Sequence, residues 1–250
     1  MSTDDQSHDA PPTDGKSGGA TTEQTASDTR AVQSFYGRWA GLYDLVARWT
    51  PKVGTMRTAA AAALSLERGD VVVDMGCGTG ANLPYLRERV GPEGTVVGID
   101  VTEPLLKRAQ SVVDEHGWDN VHVVRGDATR PPLGGVDAIV ASFVVGMFDD
   151  PAGVVDDWCD LLVPGGRMSL LNASRSSRRT AAPINALLKV VTIVSTPPTR
   201  KLRYERDITG DLVARIEAAN EALETRAVET KEQEFLLGLV RLRAGRLPGP

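Results

Sequence analysis

Residues 72–80 read Val72-Val73-Asp74-Met75-Gly76-Cys77-Gly78-Thr79-Gly80, an apolar run that ends in three closely spaced glycines. Its apolar start predicts a buried strand, and its glycines predict a turn that lets a ligand approach the backbone closely. The spacing G-x-G-x-G differs from the G-x-G-x-x-G of dinucleotide sites, and the Lys-Ser/Thr ending of a phosphate loop is absent. Because the Asp74 carboxylate would repel a pyrophosphate, we expect a ligand that carries positive charge, such as a sulfonium amino acid with a free ammonium group.

Strand and helix patterns alternate after this stretch, as a parallel sheet with crossover helices requires. Strands are predicted over 71–74, 95–100, 121–125, 136–143 and 167–172. Helices are predicted over 81–90, 103–116, 152–162 and 212–223. The pattern indicates a doubly wound α/β domain over about residues 68–244.

Three flanking segments complete the predicted domain. A helix over 31–49 is predicted to end at Thr50-Pro51, and a second helix is predicted over 59–66. Near the C-terminus, residues 227–234 and 236–243 are predicted to pair as antiparallel strands around a turn. Glu232, Gln233 and Glu234, at the end of the first of these strands, provide only a weak turn signal.

Two further carboxylates follow the second and third predicted strands. Asp100 comes 20 residues after Gly80, where an acidic side chain can accept both hydroxyls of a ribose. Asp127, in Gly126-Asp127-Ala128, can accept a hydrogen bond from an exocyclic amine such as that of adenine. Each aspartate alone is more often a turn residue or a helix cap. Together with Asp74, at the ends of three successive strands, they predict one nucleoside-binding crevice.

These motifs resemble those of the class I S-adenosylmethionine-dependent methyltransferases. Residues 74–80 are similar to the first motif, 98–100 to the second, 126–128 to the third and 162–167 to the turn before the fifth strand. The resemblance implies a Rossmann-like seven-stranded sheet of order 3-2-1-4-5-7-6 with the last strand antiparallel, S-adenosylmethionine as cofactor, and no metal. The cofactor-binding residues that it implies are Asp74, Gly76, Cys77, Gly78, Thr79, Gly80, Asp100, Val101, Asp127, Ala128, Ser142 and Tyr36.

Two stretches resemble a narrower group of these enzymes. Residues 36–44 are similar to the ubiquinone and menaquinone C-methyltransferases and to related phospholipid N-methyltransferases, and residues 141–143 are similar to the quinone enzymes. The resemblance implies methyl transfer to a small, lipophilic acceptor, such as a quinone precursor or a phospholipid-like molecule. Residues 144–148 lack the polar side chains of the quinone enzymes, and no catalytic residue is assigned. A non-catalytic S-adenosylmethionine-binding or regulatory protein of the same fold is the alternative.

Residues 175–206 carry eight basic side chains against one acidic side chain, although the whole chain has a net charge of −5. Between the basic clusters, residues 183–197 repeat polar side chains at helical spacing and leave an apolar face. A basic amphipathic insertion of this kind fits an anionic membrane surface or a lid over a lipophilic substrate. It fits a helix packed on the sheet equally well, so both alternatives stay open at this point.

Composition sets the remaining expectations. Residues 1–29 contain almost no large apolar side chains and are predicted to form a disordered acidic tail, so that the methyltransferase domain spans 30–250. The rest of the chain is almost neutral, which argues against a nucleic-acid partner. Cys77 and Cys159 are predicted to pack in the interior, and no segment indicates a leader or a transmembrane helix. We expect a cytoplasmic monomer or homodimer, peripheral at the membrane if residues 175–206 contact it.

Overall fold

The computed structural model describes residues 51–173 and 208–250. Its centre is a seven-stranded sheet of order β3-β2-β1-β4-β5-β7-β6, which confirms the predicted order. Strands β1 to β5 are parallel, and β7 runs antiparallel to both β5 and β6. The strands are β1 (Val71–Met75), β2 (Thr95–Asp100), β3 (Val121–Arg125), β4 (Val136–Ser142), β5 (Leu162–Ala173), β6 (Glu229–Phe235) and β7 (Val240–Arg246).

Helices cover both faces of the sheet, so the predicted doubly wound α/β class is confirmed. They are α1 (Pro51–Ala63), α2 (Leu83–Val90), α3 (Glu103–His116), α4 (Pro151–Leu161) and α5 (Ile208–Arg226). Apolar side chains of α1, α2 and α3 share one buried cluster with the sheet, and those of α4 and α5 share a second cluster. Trp158 and Cys159 are buried in the α4–α5 cluster, as predicted for Cys159. The helices leave the carboxyl ends of the parallel strands as one edge.

The first described helix differs from the prediction. Helix α1 spans Pro51–Ala63, whereas the predicted helix spans 59–66. In the sequence prediction, Pro51 marks the end of the preceding helix. The helix begins earlier than predicted because a proline, which can end a preceding helix, also suits the first turn of the next one. Its fixed φ is already helical there, and its missing N–H would have no partner in that turn.

The predicted antiparallel pairing of 227–234 with 236–243 is confirmed by β6 and β7, but the turn signal of Glu232, Gln233 and Glu234 does not mark the turn. Glu232 and Glu234 lie inside β6, opposite Arg243 and Arg241 of β7, and these arginines form ion pairs with them. Ion pairing across the strands makes a strand of acidic residues compatible with the sheet. The chain turns instead at Leu236–Gly238, where all three residues have positive φ.

Strand β5 begins five residues earlier than predicted. Leu162 already pairs with Val136, and the register then shifts before Ala138 pairs with Arg167. The Pro164-Gly165-Gly166 sequence, predicted as a turn, is therefore an irregularity at the start of the strand.

Several predictions lie outside the described residues: the tail over 1–29, the helix over 31–49 with Tyr36, and the basic segment over 175–206. Across 51–173 and 208–250, no helix combines the length and the apolar character that crossing a membrane requires.

Candidate functional site

The carboxyl ends of β1, β2 and β4 meet at one edge of the sheet. Asp74 lies near the end of β1, Asp100 ends β2 and Ser142 ends β4. The side chain of Asn82, just before α2, joins two of these ends. Its Nδ2 donates hydrogen bonds to Asp74 Oδ1 at 2.9 Å and to Ser142 Oγ at 3.1 Å. Asn82 therefore connects the ends of β1 and β4 by hydrogen bonds.

The glycine loop uses each glycine differently. Gly76, Gly78 and Gly80 all have positive φ, which favours glycine. A Cβ at Gly76 would lie 2.6 Å from Val144 Cγ2, and one at Gly80 would lie 3.0 Å from the Ala109 backbone. A Cβ at Gly78 would meet nothing within 4 Å. The loop therefore packs tightly at its two ends and leaves open space at Gly78, where a ligand can reach the backbone.

Cys77 holds the loop against β2. Its N–H donates to the carbonyl of Ile99 at 2.9 Å, and its side chain is buried against Gly98, where a Cβ would lie 3.0 Å from Cys77 Sγ. Burial raises the pKa of the Cys77 thiol well above its usual value, so the thiol stays protonated. Cys77 therefore supports the loop as a small packed residue. Thr79, two residues later in the glycine loop, is half-buried.

Asp74 is completely buried, and only one of its carboxylate oxygens has a partner. Oδ1 accepts from Asn82, whereas Oδ2 is buried and has no hydrogen-bond partner in the described part of the chain. Burial raises the pKa of Asp74 to about 6, opposed by the hydrogen bond from Asn82 and the positive charge of Arg57. A buried acceptor without a donor costs free energy. Asp74 Oδ2 is therefore a buried acceptor that lacks a donor among the described residues.

Asp100 orders the backbone on both sides of it. Its Oδ2 accepts from the Gly78 N–H at 3.0 Å, and its Oδ1 accepts from the Thr102 N–H at 2.8 Å. Each carboxylate oxygen has a second lone pair, so both can still accept a ribose hydroxyl. The next residue, Val101, is 41% exposed and adds an apolar surface beside this carboxylate.

Asp127 is exposed and forms an Asx turn after β3. Its Oδ1 accepts from both the N–H and the hydroxyl of Thr129, at 2.9 and 2.8 Å. Ala128 is buried, and its carbonyl accepts a 2.7 Å hydrogen bond from Trp158 Nε1. The loop is thus anchored to α4. Asp127 holds a turn, the role that a single aspartate has most often.

The end of β4 differs in chemistry from the ends of β1 and β2. Phe143 has φ of 59°, which is rare for a bulky residue, and its N–H donates to the Leu171 carbonyl at 2.7 Å. Phe143 is 38% exposed, and Met147 in the following 3-10 helix, Val145–Met147, is 51% exposed. The crevice therefore has an apolar side next to its polar side.

Two residues of this site were not predicted from the sequence. Asn82 follows the glycine loop by two residues, and its position before a helix is the one signal that pointed to it. Arg57, in α1, donates from Nη1 to Asn82 Oδ1 at 2.6 Å. No motif marks Arg57, because it lies in α1, 25 residues before Asn82.

The histidines and the acidic groups do not suggest a metal. His116 ends α3 and His122 lies near the start of β3, so both are at the opposite edge of the sheet from the crevice. Within 51–173 and 208–250 no cluster of His, Cys, Asp and Glu could hold a metal ion.

Comparison with known proteins identifies the family. Residues 72–166 match the methyltransferase domain family. The phosphatidylethanolamine N-methyltransferase of Cereibacter sphaeroides is 33% identical over 145 residues, which are 57% of this chain and 68% of that relative. The chain belongs to the class I S-adenosylmethionine-dependent methyltransferase superfamily.

Two further comparisons extend this assignment. Nocamycin O-methyltransferase of Saccharothrix syringae is 38% identical over 140 residues, and the chain spans about half of that relative, 48%. The crystal structure of an S-adenosylmethionine-dependent methyltransferase from Aquifex aeolicus has the same fold, with a TM-score of 0.56 at 20% identity. That match covers 79% of this chain and 94% of the other. The superfamily implies S-adenosylmethionine as cofactor, and the unpartnered Asp74 Oδ2 and the open space at Gly78 fit that ligand.

Proposed function

We propose that this methyltransferase-fold chain transfers a methyl group from S-adenosylmethionine to a small, lipophilic acceptor. The observation that carries the proposal is the juxtaposition of two surfaces in one crevice. The polar surface contains Gly78 and Asp100, beside the buried carboxylate of Asp74, and the apolar surface contains Phe143 and Met147. Val144 joins them, because it packs over Gly76 of the glycine loop.

We propose that different residues of the polar side bind different groups of the cofactor. We assign the ammonium group to Asp74, since Oδ2 is a buried acceptor that lacks a donor. We assign the ribose hydroxyls to Asp100, whose oxygens are already oriented by the backbone of Gly78 and Thr102. Adenine is assigned to Val101 and Asp127, by an apolar contact and a hydrogen bond from the exocyclic amine.

The proposed contribution of this chain to catalysis is to hold the acceptor close to the methyl group of the cofactor. S-adenosylmethionine, when bound, supplies a methyl group that its positively charged sulfur already activates. The glycine loop and Asp100 would hold the cofactor, while the apolar surface would exclude water and orient the acceptor. Both described histidines, His116 and His122, lie at the other edge of the sheet and provide no base for the acceptor.

The acceptor is proposed to be lipophilic because the exposed groups after β4 are an aromatic ring and a thioether. The names of the two relatives concern O-methylation and N-methylation, so they support oxygen and nitrogen acceptors alike. A phospholipid-like molecule fits the phosphatidylethanolamine relative. A quinone precursor stays a prediction from the resemblance of residues 36–44 and 141–143.

Two measurements on the full chain test the proposed function. Calorimetry should show binding of S-adenosylhomocysteine, the product form of the cofactor, at micromolar or tighter affinity. Incubation with S-adenosylmethionine labelled in its methyl group and a cell lipid extract should then move label into an extractable lipid. Binding without any transfer would favour the non-catalytic alternative, and absence of binding would contradict the proposed function.

We also propose that residues 175–206 contact an anionic membrane surface, on the basis of their charge and apolar periodicity. Basic side chains near such a surface contribute about 1 kcal/mol each. The full chain should co-sediment with phosphatidylserine vesicles, less so at higher salt because screening shortens the reach of the charges. The pair Arg178→Glu and Arg179→Glu should abolish the binding.

The matched control for this experiment reverses two exposed charges in the described part of the chain. Arg68 and Lys107 have side chains that are 74% and 75% exposed, and changing both to Glu alters the net charge by the same amount. This control should keep most of the vesicle binding. If the unmodified chain stays in the supernatant at low salt, residues 175–206 are better interpreted as a helix packed on the sheet.

A further inference from the structure

A chain of hydrogen bonds connects α1 to the candidate cofactor site. Arg57 Nη1 donates to Asn82 Oδ1 at 2.6 Å, and Asn82 Nδ2 donates to both Asp74 Oδ1 and Ser142 Oγ. Asn82 is almost completely buried. One amide therefore joins α1, β1 and β4 at the point where the crevice begins. None of the sequence motifs accounts for Arg57 or Asn82.

The arginine determines which way the amide points. A guanidinium group has only donors, so it requires the carbonyl oxygen of Asn82 to face it. The Asn82 amino group then faces Asp74 and Ser142, where it donates to both. A flipped amide would place two donors against each other at Arg57 and two acceptors against each other at Asp74. Arg57 thus sets the orientation of Asn82, and Asn82 occupies one specific oxygen of Asp74.

The packing of α1 against α2 fixes the position of Arg57. Helix α1 lies close to α2, since a Cβ at Gly54 would be 3.2 Å from the Tyr85 hydroxyl. Met56 and Ala60, on either side of Arg57 in α1, are buried in the cluster that α1 shares with α2. Burial lowers the pKa of Arg57, and the negative charge of Asp74 opposes that shift, so the guanidinium stays protonated. A half-buried cation is thus fixed next to the site without contributing to any motif.

We propose that Arg57 and Asn82 are positioning residues that hold Asp74 with one carboxylate oxygen occupied and the other left as the acceptor for the ammonium group of the cofactor's amino-acid end. This inference rests on the proposed function, because it takes S-adenosylmethionine as the ligand. The pair acts through Asp74 and makes the site selective for ligands that carry the amino-acid moiety.

Ligand pairs test this role. S-adenosylhomocysteine carries the amino-acid end, and 5′-methylthioadenosine has the same nucleoside without it. Arg57→Gln should weaken S-adenosylhomocysteine binding about tenfold, which corresponds to about 1.4 kcal/mol, and change methylthioadenosine binding by less than about twofold. Arg57→Lys should restore most of the affinity, because its ammonium can also donate to Asn82 Oδ1. Asn82→Asp should have the largest effect, since it replaces the donor to Asp74 by a second carboxylate.

The chain offers a matched control in Arg87, which donates from Nε to Asn120 Oδ1 far from the crevice. Arg87→Gln removes the same type of arginine–asparagine hydrogen bond and should leave the affinity for both ligands unchanged. Equal weakening of both ligands in Arg57→Gln, or no weakening of either, would overturn the proposed role. Failure of the unmodified chain to bind either ligand would instead overturn the proposed function.

The pH dependence gives a second readout that a purely structural role would not move. The groups that face Asp74 are Arg57 from α1, Asp100 from β2, Cys77 from the loop and Asn82 before α2. Since the pKa of Asp74 is raised to about 6, S-adenosylhomocysteine affinity should fall as the pH drops below about 6 and Asp74 loses its charge. Removing the positive charge in Arg57→Gln should move this midpoint to higher pH. An unchanged midpoint would contradict the inference.

Discussion

The two sides of the crevice are built by different means. The polar side, at the ends of β1 and β2, consists of Asp74, the glycine loop and Asp100, all within 27 residues of one another in the chain. The apolar side, after β4, consists of Phe143 and Met147, which are held by β5 and α5. The residues of the polar side therefore come from one short stretch of the chain, whereas the apolar side is held by segments that are distant in sequence.

The largest expected effect comes from the contact between the two sides. Gly76→Ala places a Cβ 2.6 Å from Val144 Cγ2 at a residue with φ of 70°, so it combines a clash with a strained backbone. We expect a loss of about 2–4 kcal/mol in the free energy of unfolding, measured by urea denaturation. Adding Val144→Ala should recover the clash term but not the backbone term. If the double variant is no more stable than Gly76→Ala, Val144 does not connect the two sides.

Asp100→Ala should impair the polar side of the crevice and leave the apolar side intact. It removes the proposed acceptor for the ribose, so S-adenosylhomocysteine affinity should fall by about 1.5–3 kcal/mol in calorimetry. Asp70 is the matched control, because its Oδ2 also accepts a backbone hydrogen bond, from Glu67 N–H at 2.8 Å, far from the crevice. Equal affinity in Asp100→Ala and the unmodified chain would disprove the ribose assignment.

Phe143→Ala should break the apolar side alone. Loss of the exposed ring should reduce methyl transfer to the lipid acceptor about 5- to 10-fold, about 1 kcal/mol, and leave S-adenosylhomocysteine affinity unchanged. Val228→Ala, which truncates a 59% exposed side chain at the hairpin, serves as the control. A loss of cofactor affinity in Phe143→Ala would show that the two sides are not separate.

The smallest effect is expected for deletion of residues 1–29. This stretch has almost no large apolar side chains, so it adds little to either side of the crevice. Thermal unfolding and S-adenosylhomocysteine affinity should both be unchanged. A Tm lower by several degrees would show that these residues pack against the domain.

The fold was predictable because its signals are local. The alternation of strands and helices around residues 72–80 indicated the parallel sheet, and the resemblance supplied the strand order that the structure confirms. The errors occurred where a residue type has two uses. The helix start at Pro51 was missed because a proline can both end one helix and begin the next, and Glu232 and Glu234 can form a turn or a strand. Pairing with the arginines of β7 stabilises these glutamates in a strand, and the local sequence could not show that pairing.

The candidate site divides in the same way. The fold class, the order of its elements, the glycine loop and the aspartates at the strand ends could be predicted, because they depend on periodicity and on short motifs. Three features became visible only in the folded chain: Asp74 has one unpartnered oxygen, Val144 packs over Gly76, and Arg57 orients Asn82. These features depend on side chains from different elements that meet in the interior. There, buried polar groups need hydrogen-bond partners, and side chains must fill the space between elements.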